Sequence, residues 1–85
     1  MSKELLDLKN VGKATLGDLK LLGITTIKQL QEQNPDDLYM KLQKITGVQQ
    51  NPCVWDVFAA IIHEAKTGEA LPWWYFSKIR KDREK

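Results

Sequence analysis

The sequence has few of the residues that build active sites and disulfide frameworks. Among 85 residues there is one cysteine, Cys53, and one histidine, His63. A single cysteine cannot form an intramolecular disulfide, which is typical of a reducing compartment. The two residues are ten positions apart on a predicted helix, about 15 Å of rise, too far to act as a pair. We therefore expect a non-enzymatic protein with a buried or partly buried structural Cys53, no catalytic residue, no metal and no cofactor.

Long apolar runs are also missing. No stretch approaches the roughly 18 consecutive apolar residues that a membrane span requires, so we expect no membrane contact. The opening residues Met1-Ser2-Lys3-Glu4 do not lead into the apolar core of a signal peptide, and we expect a cytoplasmic location. The Gly12-Lys13 pair lacks the spacing of a Walker nucleotide loop.

Charge is unevenly distributed along the chain. Residues 1–72 hold eight lysines against nine acids, whereas residues 73–85 hold five Lys plus Arg against two acids. At this length we predict one small domain over 1–72, with an aromatic and basic C-terminal extension, 73–85, packed on it or beside it. The basic end is either a solvated helix terminus or a phosphate-binding patch.

The hydrophobic pattern is helical throughout, and no segment alternates as a strand would. It predicts an all-α fold, a compact five-helix orthogonal bundle with a short helical tail. A first short helix is expected after an N-cap at Ser2, with Leu5 and Leu8 on one face. The second runs to about Leu22 and ends at Gly23. The third follows Thr25 or Thr26.

The fourth and fifth helices carry the clearest start signals. Asn34-Pro35 and Asn51-Pro52 each place a capping residue before a proline suited to the first helical position. Gly47 and Gly68 are expected to end these helices. The fifth helix carries one apolar stripe: Val54, Val57, Phe58, Ile61, Ile62 and Ala65. Asp56, near its start, is expected to interact with the helix dipole.

The turns before the second and fifth predicted helices follow a similar plan. When Val11 is aligned with Val48, Asn10 corresponds to Gly47, and both residue types tolerate positive φ. Leu8-Lys9-Asn10-Val11-Gly12-Lys13-Ala14, followed by Leu22-Gly23-Ile24, resembles a helix-hairpin-helix motif. The layout resembles a degenerate tandem pair of such motifs, a SAM-like helical domain. This resemblance implies binding of nucleic-acid backbone without reading of the sequence.

A second resemblance covers the whole chain. It rests on four segments: Asn10-Val11-Gly12-Lys13-Ala14, Asp36-Asp37-Leu38-Tyr39, Asn51-Pro52-Cys53-Val54 with Asp56-Val57-Phe58, and Pro72-Trp73-Trp74-Tyr75. In these segments the chain resembles the small pathogenicity locus family of helix-hairpin-helix-related proteins. That family name implies a genomic setting and no mechanism.

The first hairpin is the predicted nucleic-acid site. Glycine lets backbone approach a ligand closely, and the first amides of the following helix lack intrahelical partners. The predicted contacts are Lys9, Asn10, Val11, Gly12, Lys13, Ala14 and Thr15, with Lys78, Arg80, Lys81 and Arg83 of the tail. The alternative is that Gly12 serves only the φ or the packing of a tight turn. The second hairpin has Gln49 in place of the motif's second glycine, so we expect it not to bind phosphate.

Five of the seven aromatic residues suggest a further surface. Trp55, Trp73, Trp74, Tyr75 and Phe76 can cover the small core, form a protein-binding surface, or stack on single-stranded bases. Because adjacent helical residues point about 100° apart, we expect Trp73 and Trp74 not to be buried together. Trp73, Trp74 and Tyr75 are the predicted contacts of a protein partner. The partners we expect are thus DNA or RNA backbone or another protein, for a monomer or weak homodimer.

Overall fold

Five α-helices follow one another in the computed structural model, which describes residues 4–83. The helices are α1 (Lys13–Leu21), α2 (Ile27–Gln31), α3 (Pro35–Thr46), α4 (Pro52–Thr67) and α5 (Trp73–Arg83), after a short 3-10 turn at Leu5–Asp7. The described residues contain no strand and have a radius of gyration of 12.2 Å. The predicted all-α class is confirmed.

The helix boundaries follow local capping chemistry. Thr26, Asn34 and Asn51 each accept a hydrogen bond on the side chain from a backbone amide of the first turn that follows. Gly23, Gly47 and Gly68 have φ values of 80°, 68° and 80°, the left-handed conformation in which helices often end. These predicted starts and ends are confirmed.

The start of the chain differs from the prediction. The expected first α-helix is a single 3-10 turn, with Glu4 in the N-cap position. The Glu4 backbone amide donates to Asp7 Oδ2 at 2.8 Å, which stabilises this short turn. Leu5 and Leu8 are both buried, so their pairing was predicted correctly. The proposed cap at Ser2 lies outside the described residues.

Helix α4 is the centre of the molecule and packs against α2, α3 and α5. Its predicted stripe enters the main core through Phe58, Ile61, Ile62 and Ala65, while Val54 and Val57 are half-buried at the edge. The other members of this core come from the turn region and helices α1 to α3: Leu5, Leu8, Val11, Leu19, Ile24, Leu30, Leu38 and Leu42.

A second apolar cluster joins α4 to α5. Trp55, Ala59 and Ala60 of α4 pack with Phe76 of α5, and all four are buried. The single stripe predicted for α4 was therefore incomplete, because the helix is buried on two faces. The C-terminal segment lies along the second face as an eleven-residue helix.

Candidate nucleic-acid interface

The first hairpin is built on two buried apolar residues. Leu8 and Val11 lie in the main core, and the Val11 amide donates to the Leu8 carbonyl at 3.2 Å. The chain turns here, and Gly12 follows in the N-cap position of α1. The side chain of Val11, one of the predicted contacts, faces the core, and its amide is the donor of that hydrogen bond.

Two hydrogen bonds hold the hairpin against distant parts of the chain. The Lys9 amide donates to Glu64 Oε1 at 2.9 Å, and Glu64 is buried near the end of α4. The Asn10 side-chain amide donates to the Leu71 carbonyl at 2.8 Å. No non-glycine residue between positions 4 and 83 has a positive φ, so the positive φ considered for Asn10 is wrong. Its side chain instead connects the hairpin to the segment before α5.

Gly12 needs neither an unusual φ nor close packing. Its φ and ψ are −104° and −174°, an extended conformation open to any residue. A Cβ built on Gly12 meets no atom within 4 Å. Neither φ nor packing therefore requires glycine at this position, and ligand contact by Gly12 stays a prediction.

The amino end of α1 has no side-chain cap. No side chain of the N-cap residue is hydrogen-bonded there, since Gly12 has none. Lys13 and Ala14 are exposed and Thr15 is half-buried. The nine-residue helix thus begins among mostly exposed residues, with no side-chain oxygen of the N-cap residue to accept from its first amides at the positive end of its dipole.

Charges of both signs surround this helix end. Lys9 and Lys13 are exposed, as are Glu4 and Asp7. Asp18 lies further along α1, where burial raises its pKa above 3.8. The local positive charge is therefore modest, which favours weak binding of an anion.

Amides of the second hairpin also have partners within the chain. The Gln50 amide donates to Gln43 Oε1 at 3.0 Å, and the Val48 amide donates to Thr46 Oγ1 at 3.4 Å. Side chains from within the chain thus occupy two of its backbone donors. The absence of phosphate binding at this hairpin stays a prediction.

The basic residues of α5 fall into two groups. Lys78 and Lys81 are exposed. Arg80 Nε donates to Asp56 Oδ1 at 2.8 Å and its Nη2 donates to Oδ2 at 3.2 Å, leaving 16% of the side chain exposed. Arg80 therefore fixes α5 to α4. This differs from the prediction, in which its guanidinium contacts a ligand. The side chain of Arg83 lies outside the described residues.

Asp56 is a structural side chain whose role the sequence pattern missed. It is completely buried and also accepts a 2.6 Å hydrogen bond from Ser77 Oγ. The expected interaction with the helix dipole was the wrong role. The three-residue spacing of Ser77 and Arg80 places both on one face of α5, and that spacing was the available signal.

The aromatic residues divide at Phe76. Trp73, Trp74 and Tyr75 are 40%, 57% and 45% exposed, whereas Phe76 and Trp55 are buried. Trp55 Nε1 donates to Asp36 Oδ1 at 2.7 Å. Trp55 and Phe76 thus cover the core. Trp73 and Trp74 are both exposed, in agreement with the expectation that they are not buried together.

The single cysteine and histidine show no reactive arrangement with each other. Cys53 is free and exposed, so its predicted burial is wrong. His63 Nε2 is 2.8 Å from Glu69 Oε1, and its ring lies 5.7 Å from that of Phe76. Within residues 4–83 no group of three His, Cys, Asp or Glu residues is arranged to hold a metal ion. In the same range no helix has the length and apolar content needed to cross a membrane.

Comparison with known proteins gives a family and one named relative. The family model described as "Pathogenicity locus" matches residues 1–82. The mitomycin resistance protein McrB of Streptomyces lavendulae is 32% identical over 78 residues, which are 92% of this chain and 74% of that protein. No solved structure matches the chain.

Proposed function

The chain belongs to the pathogenicity locus family, and we propose that it is a non-catalytic helix-hairpin-helix module that binds nucleic-acid backbone weakly through its first hairpin. The observation that carries this proposal is the open amino end of α1. Gly12 leaves it without a side-chain cap, and no atom lies within 4 Å of where a Cβ would stand.

The chemistry of this site suits a phosphate oxygen. The amides of Lys13, Ala14 and Thr15 begin the helix, and the dipole favours negative charge there. The ammonium groups of Lys9 and Lys13 add attraction that does not depend on base sequence. With acids nearby, we expect dissociation constants on the order of 10⁻⁴ to 10⁻⁶ M at physiological salt.

The binding test measures the salt dependence of affinity for a duplex oligonucleotide. Lys13→Ala is expected to weaken binding and to reduce the salt slope by about one phosphate contact. Lys44→Ala, in the last turn of α3, removes the same charge away from the first hairpin and is the matched control. Equal effects of the two variants would show that net charge, and not this site, controls binding.

Gly12→Ala tests the backbone approach directly. The methyl group has space in the free protein but would stand between the α1 amides and a ligand. We expect weaker binding with unchanged stability. Full affinity in a folded Gly12→Ala protein would contradict contact at this hairpin.

The name of the Streptomyces relative adds a biological setting to the proposal. It refers to mitomycin resistance for that protein, and we extend a resistance-related role to this chain. Survival of cells on mitomycin, with the chain present, deleted or carrying Gly12→Ala, tests this extension. If the wild-type and Gly12→Ala chains raise survival equally, relative to the deletion, resistance does not depend on the hairpin.

A second candidate function is that of a protein-interaction adaptor. The exposure of Trp73, Trp74 and Tyr75 supports it, because Trp and Tyr are enriched at the energetic centres of interfaces. Sedimentation of the wild-type protein and of Trp73→Ala and Trp74→Ala variants tests whether this surface forms a weak homodimer. Self-association that survives both changes would exclude the aromatic surface as the interface.

A further inference from the structure

The hairpin site and the aromatic start of α5 are held beside each other. Asn10, two residues before Gly12, donates to the Leu71 carbonyl, and Leu71 is two residues before Trp73. The connection spans 61 positions of sequence, so the fold and not the chain order brings these segments together. The segment that leads into Trp73 is therefore attached to the first hairpin.

One side of α5 combines an aromatic ring with positive charge. Lys78 and Lys81 follow Trp74 by four and seven positions, which places the three side chains on one side of the helix. All three are exposed, with Trp74 57% exposed. Arg80 and Ser77 both bind Asp56 of α4 and so fix the orientation of α5 on the domain. The only negatively charged residue of α5 is Asp82, so positive charge is in excess on this helix.

We propose that the Trp74–Lys78–Lys81 side of α5 binds single-stranded nucleic acid, with a base stacked on Trp74 and phosphates beside the two lysines. An aromatic ring in a basic setting is how proteins bind single strands without sequence preference. A duplex keeps its bases stacked on one another and cannot offer this contact. The inference rests on the proposed function and adds the substrate class: a single strand, or a duplex with unpaired bases.

The test compares three fluorescent ligands of equal length: single-stranded oligothymidylate, a duplex, and an abasic oligomer with the same phosphates and no bases. Fluorescence anisotropy at low and moderate salt gives the affinities. We expect the single strand to bind at least about fivefold more tightly than the abasic oligomer. Trp74→Ala is expected to remove this difference and Trp74→Phe to retain part of it.

Met40→Ala is the matched control, because Met40 is a comparably exposed apolar residue on α3. Circular dichroism checks that every variant is folded. Quenching of tryptophan fluorescence gives an independent readout: it should be strong in the wild type and reduced in Trp74→Ala, where the exposed Trp73 and the buried Trp55 remain.

The outcomes separate the two proposals. Equal affinity for all three ligands, unchanged by Trp74→Ala but reduced by Gly12→Ala, would overturn the single-strand inference and keep the hairpin function. No binding of any ligand at low salt would overturn both. Self-association lost in Trp74→Ala, without any change in nucleic-acid affinity, would assign this surface to a protein partner and overturn the inference.

Discussion

Among single residues, two buried acids of α4 hold other segments of the chain in place. Asp56 binds Ser77 and Arg80 of α5, and Glu64 accepts the Lys9 amide of the first hairpin. The partners are between 21 and 55 positions away in sequence. Local pattern could not predict them, because a carboxylate near a helix end looks the same whether it is solvated or buried.

Asp56→Ala is expected to destabilise the protein by about 3 kcal/mol. The change leaves Arg80 without its carboxylate in a largely buried position and removes the hydrogen bond of Ser77. Urea unfolding measures the effect. Lys78→Ala, an exposed change on the same helix, should cost less than about 0.5 kcal/mol. Equal costs for the two variants would show that the buried pair does not hold α5.

Asp18 gives a prediction for pH. Burial raises its pKa above 3.8, so the folded protein binds this proton more readily than the unfolded chain does. The stability that Asp18 contributes is therefore present at low pH and lost as pH rises through the raised pKa. Asp18→Asn should remove this loss, and the melting temperature of the variant should rise relative to wild type from pH 3 to pH 7. A difference in melting temperature that stays constant with pH would contradict this prediction.

At the scale of elements, the sequence predicted helix ends well and helix surroundings poorly. Asn34, Asn51 and Gly68 act within a few residues of their own helices, so their roles are readable from adjacent sequence. The second buried face of α4 depends on α5, which folds back from further along the chain. The 3-10 turn at Leu5–Asp7 was mistaken for an α-helix because two leucines three positions apart fit both.

Two glycines at helix ends should respond differently to alanine. Gly68 ends α4 with a φ of 80°, so Gly68→Ala is expected to cost about 1 kcal/mol. Gly12 precedes α1 with a φ of −104°, so Gly12→Ala should change stability by less than about 0.5 kcal/mol. Thermal unfolding of both variants measures the contrast. A large loss for Gly12→Ala would mean that the turn needs glycine for its own folding.

At the scale of the whole molecule, α4 carries both candidate surfaces. Glu64 holds the first hairpin near its end, and Asp56 holds α5 along its second face. The sequence located the hairpin and the aromatic segment, but it could not show that the Asn10–Leu71 hydrogen bond brings them together.

The proposed function depends on nucleic-acid binding at the open amino end of α1. An NMR titration with a short DNA, at low and moderate salt, tests it most directly. We expect amide shifts at Gly12, Lys13, Ala14 and Thr15 that weaken as salt increases. The amides of Val48 and Gln50, which side chains already occupy, should move little. Unperturbed α1 amides at low salt would contradict nucleic-acid binding at the first hairpin.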